Sequence, residues 1–374
     1  MQPPGQLGDR INHIAHVDVN VTNADRSRRF YEATMPVETV ARIECEGAFP
    51  SLGIDDGWFV GYVLRSSTQL GDYPALRLIE WKRPGPVGTP YLSHGNVGWY
   101  RLVSTVRDIE AARSAVVGNG GQPFTATSSG KLLMYGPSVE PNPYRTFHAY
   151  DPDGIAIQWS YDWPREDRAG NMNRTAQGDA GPKWITERPV QDRMFAVVGG
   201  TTDVDRYVQF YTDILGFDIW SGLQTPEPVA NIYSPSGGMT VCDGAFFVPR
   251  GDRRFVIDWL RWWESADNPR PYPEPNHLGI IRCAIEVDDI DRAFECLAAA
   301  AAADDSIVGT VHRPETWNMG PEIGEQRVVN FTDGEDVMFQ LVEAPPYPLG
   351  TLHPWGSDAV NFGAATVEEA ASIR

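Results

Sequence analysis

Residues 16–21 read HVDVNV, an alternating run opened by His16. A neutral imidazole at the head of a strand can hold a divalent metal or accept a proton. A hydrogen-bonded polar residue is the plain alternative. The other candidates for chemistry fall into two matched sets. Glu80 in LIEWKR, Arg101 in RLVSTV and Gln158 in IAIQW have counterparts in Asp258 of VIDWLR, Arg282 of RCAIEV and Gln340 of VMFQL. The members of each pair lie about 180 residues apart. An acid, a guanidinium and an amide in one place make a buried ion pair completed by hydrogen bonds, with no need of a metal. Arginine is always charged and only donates, so it opposes a cation beside it. At the place of His16 the second set has Ala196, so His16 is what makes the two halves chemically different.

These residues must be positioned by repeated elements. HVDVNVTNADRSRRFY (16–31) and AVVGGTTDVDRYVQFY (196–211) share one pattern, and RLVSTVRDIEAAR (101–113) and RCAIEVDDIDRAF (282–294) share another. Each reads as an alternating strand, an acidic or amide cap and an amphipathic helix, followed by three more strands. Asn23, Asp108, Asp203 and Asp289 are the expected helix caps. Asp151-Pro152-Asp153-Gly154 is the expected turn before a last strand. The chain therefore reads as α+β, four βαβββ modules in two duplicated halves. The modules span 12–83 and 95–162 in an N-terminal domain (12–162), and 192–263 and 277–343 in a C-terminal domain (192–343). A Gly/Pro-rich linker at 163–191 and a Pro-rich tail at 344–374 complete the chain.

A net charge of -19 and a pI near 4.7 leave no basic surface for nucleic acid or an anionic membrane. Cys45, Cys242, Cys283 and Cys296 have no CxxC spacing and read as free thiols. MQPPGQLGDRINH lacks the pattern of a signal peptide, and no apolar run approaches the ~20 residues that span a bilayer. The expectation is a cytoplasmic protein. No Gly-rich phosphate motif supports a nucleotide cofactor. The expected partner is a small molecule, and pairing with a second copy of the chain is left open.

HVDVNVTNADRSRRFY, RCAIEVDDIDRAF and FHAYDPDGIAIQW together resemble the vicinal oxygen chelate superfamily of glyoxalases, bleomycin-resistance proteins and extradiol dioxygenases. The resemblance implies that the four βαβββ modules are paired into two open-barrel domains, two modules closing around each cavity. It places His16, Glu80, Arg101 and Gln158 in the N-terminal cavity, and Ala196, Asp258, Arg282 and Gln340 in the C-terminal one. It implies a metal set of His16, Glu80 and Gln158 holding Fe(II), Mn(II), Zn(II) or Ni(II). His16, Arg101 and His148 are the expected catalytic residues. His148, in a strand beside Gln158, is a reserve ligand or base. Trp58, Tyr62, Trp99, Arg282 and Asp258 are expected to line a substrate site, and Trp81 and Trp259 to turn away from it.

Three functions follow from the resemblance. The first is a divalent-metal enzyme acting on an oxygenated aromatic or hydrophobic molecule by dioxygenation, isomerisation or lyase chemistry. The second is a metal-free enzyme with His16 as base. The third is a binding protein of the bleomycin-resistance type.

Overall fold

The structure, a computed structural model, describes residues 7–66, 75–91, 95–129, 145–161, 193–230, 239–250, 255–263 and 270–344. The linker read from the sequence and the tail beyond residue 344 lie outside them. The first module is β1 (Ile11–Asn20), α1 (Ala24–Thr34), β2 (Val37–Phe49), β3 (Ile54–Ser66) and β4 (Ala75–Arg83). The second is β5 (Gly98–Thr105), α2 (Ile109–Gly118), β6 (Gln122–Pro123), β7 (Ser128–Ser129), β8 (Arg145–Tyr150) and β9 (Ala156–Tyr161). The third is β10 (Arg193–Gly200), α3 (Val204–Gln209), β11 (Asp218–Ala230), β12 (Met239–Val248) and β13 (Val256–Trp262). The fourth is β14 (Gly279–Val287), α4 (Ile290–Ala303), β15 (Val308–Val311), β16 (Glu315–Asn318), β17 (Glu325–Asp333) and β18 (Met338–Glu343).

All four expected caps start their helices. The side chains of Asn23, Asp108, Asp203 and Asp289 accept from backbone N–H groups two or three residues on, which satisfies donors that no helical carbonyl can reach. None of the helices among the described residues is long and apolar enough to cross a membrane. The four cysteines are free thiols.

The modules form two mixed open sheets. The order in the first is β15-β17-β18-β14-β1-β4-β3-β2, with β16 on β17. The order in the second is β11-β12-β13-β10-β5-β9-β8-β6, with β7 on β8. Pairing is therefore first module with fourth and second with third, which corrects the sequential pairing of 12–162 and 192–343. The reason lies in β1 and β10. Each takes the last strand of its own module on one edge, in parallel, and leaves the other edge for an antiparallel partner from a distant module. A repeat pattern gives no information about which distant module that is.

The largest core lies between the sheets and is shared by all four helices. Consecutive modules meet there. The Tyr31 hydroxyl donates to Asp151 Oδ2 at 3.1 Å, and Trp159 Nε1 donates to the Thr34 carbonyl at 2.8 Å. Each sheet also has an inner face with its own apolar cluster. The two connectors clasp each other as well. Val87 N–H donates to the Asn276 carbonyl at 3.1 Å and Leu278 N–H to the Val87 carbonyl at 2.8 Å, and Tyr272 stacks on both Tyr91 and His277.

Candidate active site

The inner face of the first sheet is built around Asp18. His16 and Asp18 are two residues apart on β1, so both point inward. Asp18 lies opposite Arg77 of β4 on one side and Arg282 of β14 on the other. Arg77 donates from Nε to Asp18 Oδ1 at 2.6 Å and from Nη2 to Oδ2 at 2.7 Å. Arg282 Nε donates to the same Oδ2. Amide oxygens take further guanidinium protons: Gln340 at 3.0 Å and Gln326 at 3.4 Å from Arg77, and Asn330 at 3.0 Å from Arg282. Trp317 covers both guanidiniums.

Asp18 and Arg77 are wholly buried and Arg282 nearly so. Burial alone would raise the Asp18 carboxyl, but Arg77 and then Arg282 hold it well below its ordinary value. Burial, followed by Arg77, pushes His16 well below the ordinary imidazole value, so the ring is neutral. Phe49, Phe59, Trp81 and Trp317 fill the remaining space. The edge strand β2 is covered where Glu44 N–H meets the Met319 carbonyl at 3.2 Å. This face is a sealed ion network.

The inner face of the second sheet has the same strand positions with different charges. Val198 of β10 takes the place of Asp18, Asp258 that of Arg77, and Ala196 that of His16. Arg101 of β5 matches Arg282. Arg101 and Asp258 both lie opposite Val198, so their Cα atoms are about 10 Å apart across two strand spacings. Arg101 Nη1 is 3.4 Å from His148 Nε2, which is 3.2 Å from Gln158 Oε1. Gln158 Nε2 donates to Ser160 Oγ at 2.9 Å.

The electrostatics of this face differ from those of the first. Burial, followed by the Arg101 charge, pushes His148 well below its ordinary value. Burial lifts Asp258 to about 8, partly offset by Arg101. Its Oδ1 is buried and has no hydrogen-bond partner among the described residues. Tyr100, Val103, Phe246 and Leu260 supply apolar walls.

Several expected positions move. Glu80 lies on the other face of β4 from Arg77, where its Oε2 accepts the Ala24 N–H at 3.0 Å at the start of α1, and Lys82 pairs with Oε1. The metal set His16, Glu80 and Gln158 is thus spread over two faces of one sheet and one face of the other. Trp58 and Tyr62 lie on the helix side of β3, where Tyr62 donates to Asp25 of α1 at 2.7 Å. Trp99 packs in the central core on Trp259 and Phe339. Trp81 points inward, contrary to expectation, while Trp259 turns away as expected. Arg282 belongs to the sealed network. Arg101, His148, Gln158 and Asp258 are brought to one face.

Among the described residues, neither face brings together the donor set expected for a divalent cation. His16 has two guanidiniums beside its nearest carboxylate, and that carboxylate is consumed by them. At His148 the Arg101 guanidinium lies 3.4 Å from Nε2, and its fixed positive charge opposes a cation there. Among the described residues no three His, Cys, Asp or Glu side chains are grouped to hold a metal.

No family model matches the chain, and no curated protein does. Solved structures do. A single-substitution variant of glyoxalase I from Zea mays is 15% identical with a TM-score of 0.54, over 88% of this chain and 93% of that one. The unsubstituted Zea mays glyoxalase I is 14% identical with a TM-score of 0.52, over 88% and 92%. The likeness is one of fold and runs through all four modules.

Proposed function

We propose that this chain, built on the vicinal oxygen chelate fold it shares with Zea mays glyoxalase I, moves a proton within an oxygenated, largely apolar small molecule. The inner face of the second sheet would be the active centre. The observation that carries this reading is Asp258, a buried carboxyl with a free oxygen, set across Val198 from Arg101 and His148.

At neutral pH Asp258 is mostly the acid and His148 the free base, so a proton donor and a proton acceptor are present together. His148 would take the proton from a carbon next to a carbonyl. Arg101 would hold the oxygen as it becomes an enolate. Asp258 would give a proton to the former carbonyl carbon, the enediol hydroxyl would pass its proton to the enolate oxygen, and the His148 proton would restore Asp258 through solvent. The product is an isomer of the substrate, with no net change in atoms or electrons. This keeps the metal-free alternative of the sequence reading but assigns the base to His148 rather than His16. The walls of Tyr100, Phe246 and Leu260 favour an apolar or aromatic body.

The test is proton exchange in D₂O, followed by NMR, on a panel of aryl-substituted α-hydroxy ketones, before and after chelator treatment. Exchange at the carbon beside the carbonyl should survive chelation and fall about 10²-fold or more in His148→Ala. Exchange that chelation abolishes, or that His148→Ala leaves intact, would sink the reading.

A further inference from the structure

A cavity of about 350 Å³ opens at the end of the first sheet, between the turn at Ser51, the connector from Arg270 and the β17–β18 hairpin. That volume is in the range of small-molecule pockets. Tyr272, Met338 and Phe339 form its apolar walls. Asn330 is a buried polar floor, held by a 2.7 Å hydrogen bond from Nδ2 to Ser51 Oγ and by Arg282 and Gln340 at Oδ1.

Two charges sit at the rim, Arg270 and Asp336. Their chain neighbours Pro271 and Val337 flank one point, since a Cβ built on Gly98 would lie 3.2 Å from one and 3.9 Å from the other. Yet among the described residues neither side chain makes a hydrogen bond or an ion pair.

Asp336 carries a second, independent signal. Its φ is 65°, the left-handed region, and no other non-glycine residue among the described ones shares it. The same turn in the second module, Asp151-Pro152-Asp153-Gly154, has Gly154 there with φ 91°. An L side chain in this region works against the backbone, which prefers glycine. Aspartate is among the few L residues that adopt this region, so the turn places a carboxylate at the cavity rim where the matching turn of the second module has none.

We infer that this cavity is a second ligand site, separate from the inner face of the second sheet, for a small zwitterion with an aromatic body, such as an aromatic amino acid. Arg270 matches a carboxylate and Asp336 an ammonium, while Met338 and the edges of Tyr272 and Phe339, whose faces pack on other side chains, offer apolar contact to a ring.

Isothermal titration of the full chain with L-phenylalanine, phenylacetate and phenethylamine tests this. L-phenylalanine should bind, and each singly charged analogue at least tenfold more weakly. Asp336→Gly gives the backbone the residue it prefers. It should keep or raise the melting temperature while weakening L-phenylalanine at least tenfold, and Arg270→Ala should weaken it as much. Arg101→Ala should leave the affinity unchanged. Absence of binding at millimolar L-phenylalanine, equal affinity in Asp336→Gly, or loss in Arg101→Ala would each overturn the assignment.

Discussion

Val198 occupies in the second sheet the position that Asp18 occupies in the first. In the first sheet the central strand supplies the carboxylate, and arginines on both neighbours close on it. In the second the central strand is apolar, and the opposite charges stand apart on its two sides. One arrangement satisfies itself. The other sets an acid, a base and a guanidinium on one face with no carboxylate between them.

Asp18→Asn should therefore damage stability rather than chemistry. It leaves two buried guanidiniums without a counter-charge, a change of about 3–5 kcal/mol. Because Asp18 is held below its unfolded value, its contribution is full above about pH 4 and fades only as pH falls toward the low folded value. Urea denaturation at pH 7 checks the magnitude. A midpoint shift smaller than that caused by an exposed Asp→Asn change would contradict the sealed network.

Asp258→Asn should do the reverse. The folded carboxyl sits near 8 and the unfolded one near 3.8, so its stability contribution is full below pH 4 and is lost as pH rises to 8. Asparagine does not titrate. The variant should gain on the parent with rising pH by several kcal/mol, at most about 6, while proton exchange falls. Urea midpoints at pH 5 and pH 9 measure this, and an equal difference at both would show that Asp258 is not a buried acid.

Glu80→Ala separates the position expected from sequence from the one observed. Losing a carboxylate at the start of α1 should cost about 1 kcal/mol of stability. Proton exchange and bound metal should not change. A loss of metal on this substitution would restore Glu80 as a ligand.

The crossed pairing makes the halves of the chain interdependent. Residues 7–161 alone leave β1 without β14 and β5 without β10, two exposed edges in the middle of sheets. That fragment should show no cooperative unfolding by circular dichroism, and mixing with residues 193–344 should restore a one-to-one complex. A lone half that unfolds cooperatively as a monomer would contradict the pairing.

Much of this was legible in the residues. The four modules and their caps follow from periodicity and duplication, whereas the resemblance places Arg101 and Gln158 in one cavity and Asp258 in the other, and the crossed pairing brings all three to one face. Glu80 was misplaced because LIEWKR was matched to VIDWLR through the tryptophans, putting Trp81 on Trp259. The strand registers match Arg77 to Asp258 and Trp81 to Trp262. A three-residue slip is odd, so every side chain on β4 changed face. That one error also turned Trp81 outward. Asp18 and Arg77 gave signals of their own. Asp18 sits two residues from His16 in the same alternating run, and Arg77 is a charge inside the apolar stretch ALRLI. Asn330 and the crossed sheets depend on contacts between distant segments, which no local pattern encodes.

The union of first and last modules also sets a timetable for synthesis. Ile11 opens β1, and its partner Val287 is made 276 residues later. At about 5–20 residues per second, β1 emerges tens of seconds before the strand that completes its sheet. The second and third modules can join in the meantime. The nascent chain must then shelter a strand that is paired with β4 on one edge only and already carries Asp18, a carboxylate whose second guanidinium has yet to be translated.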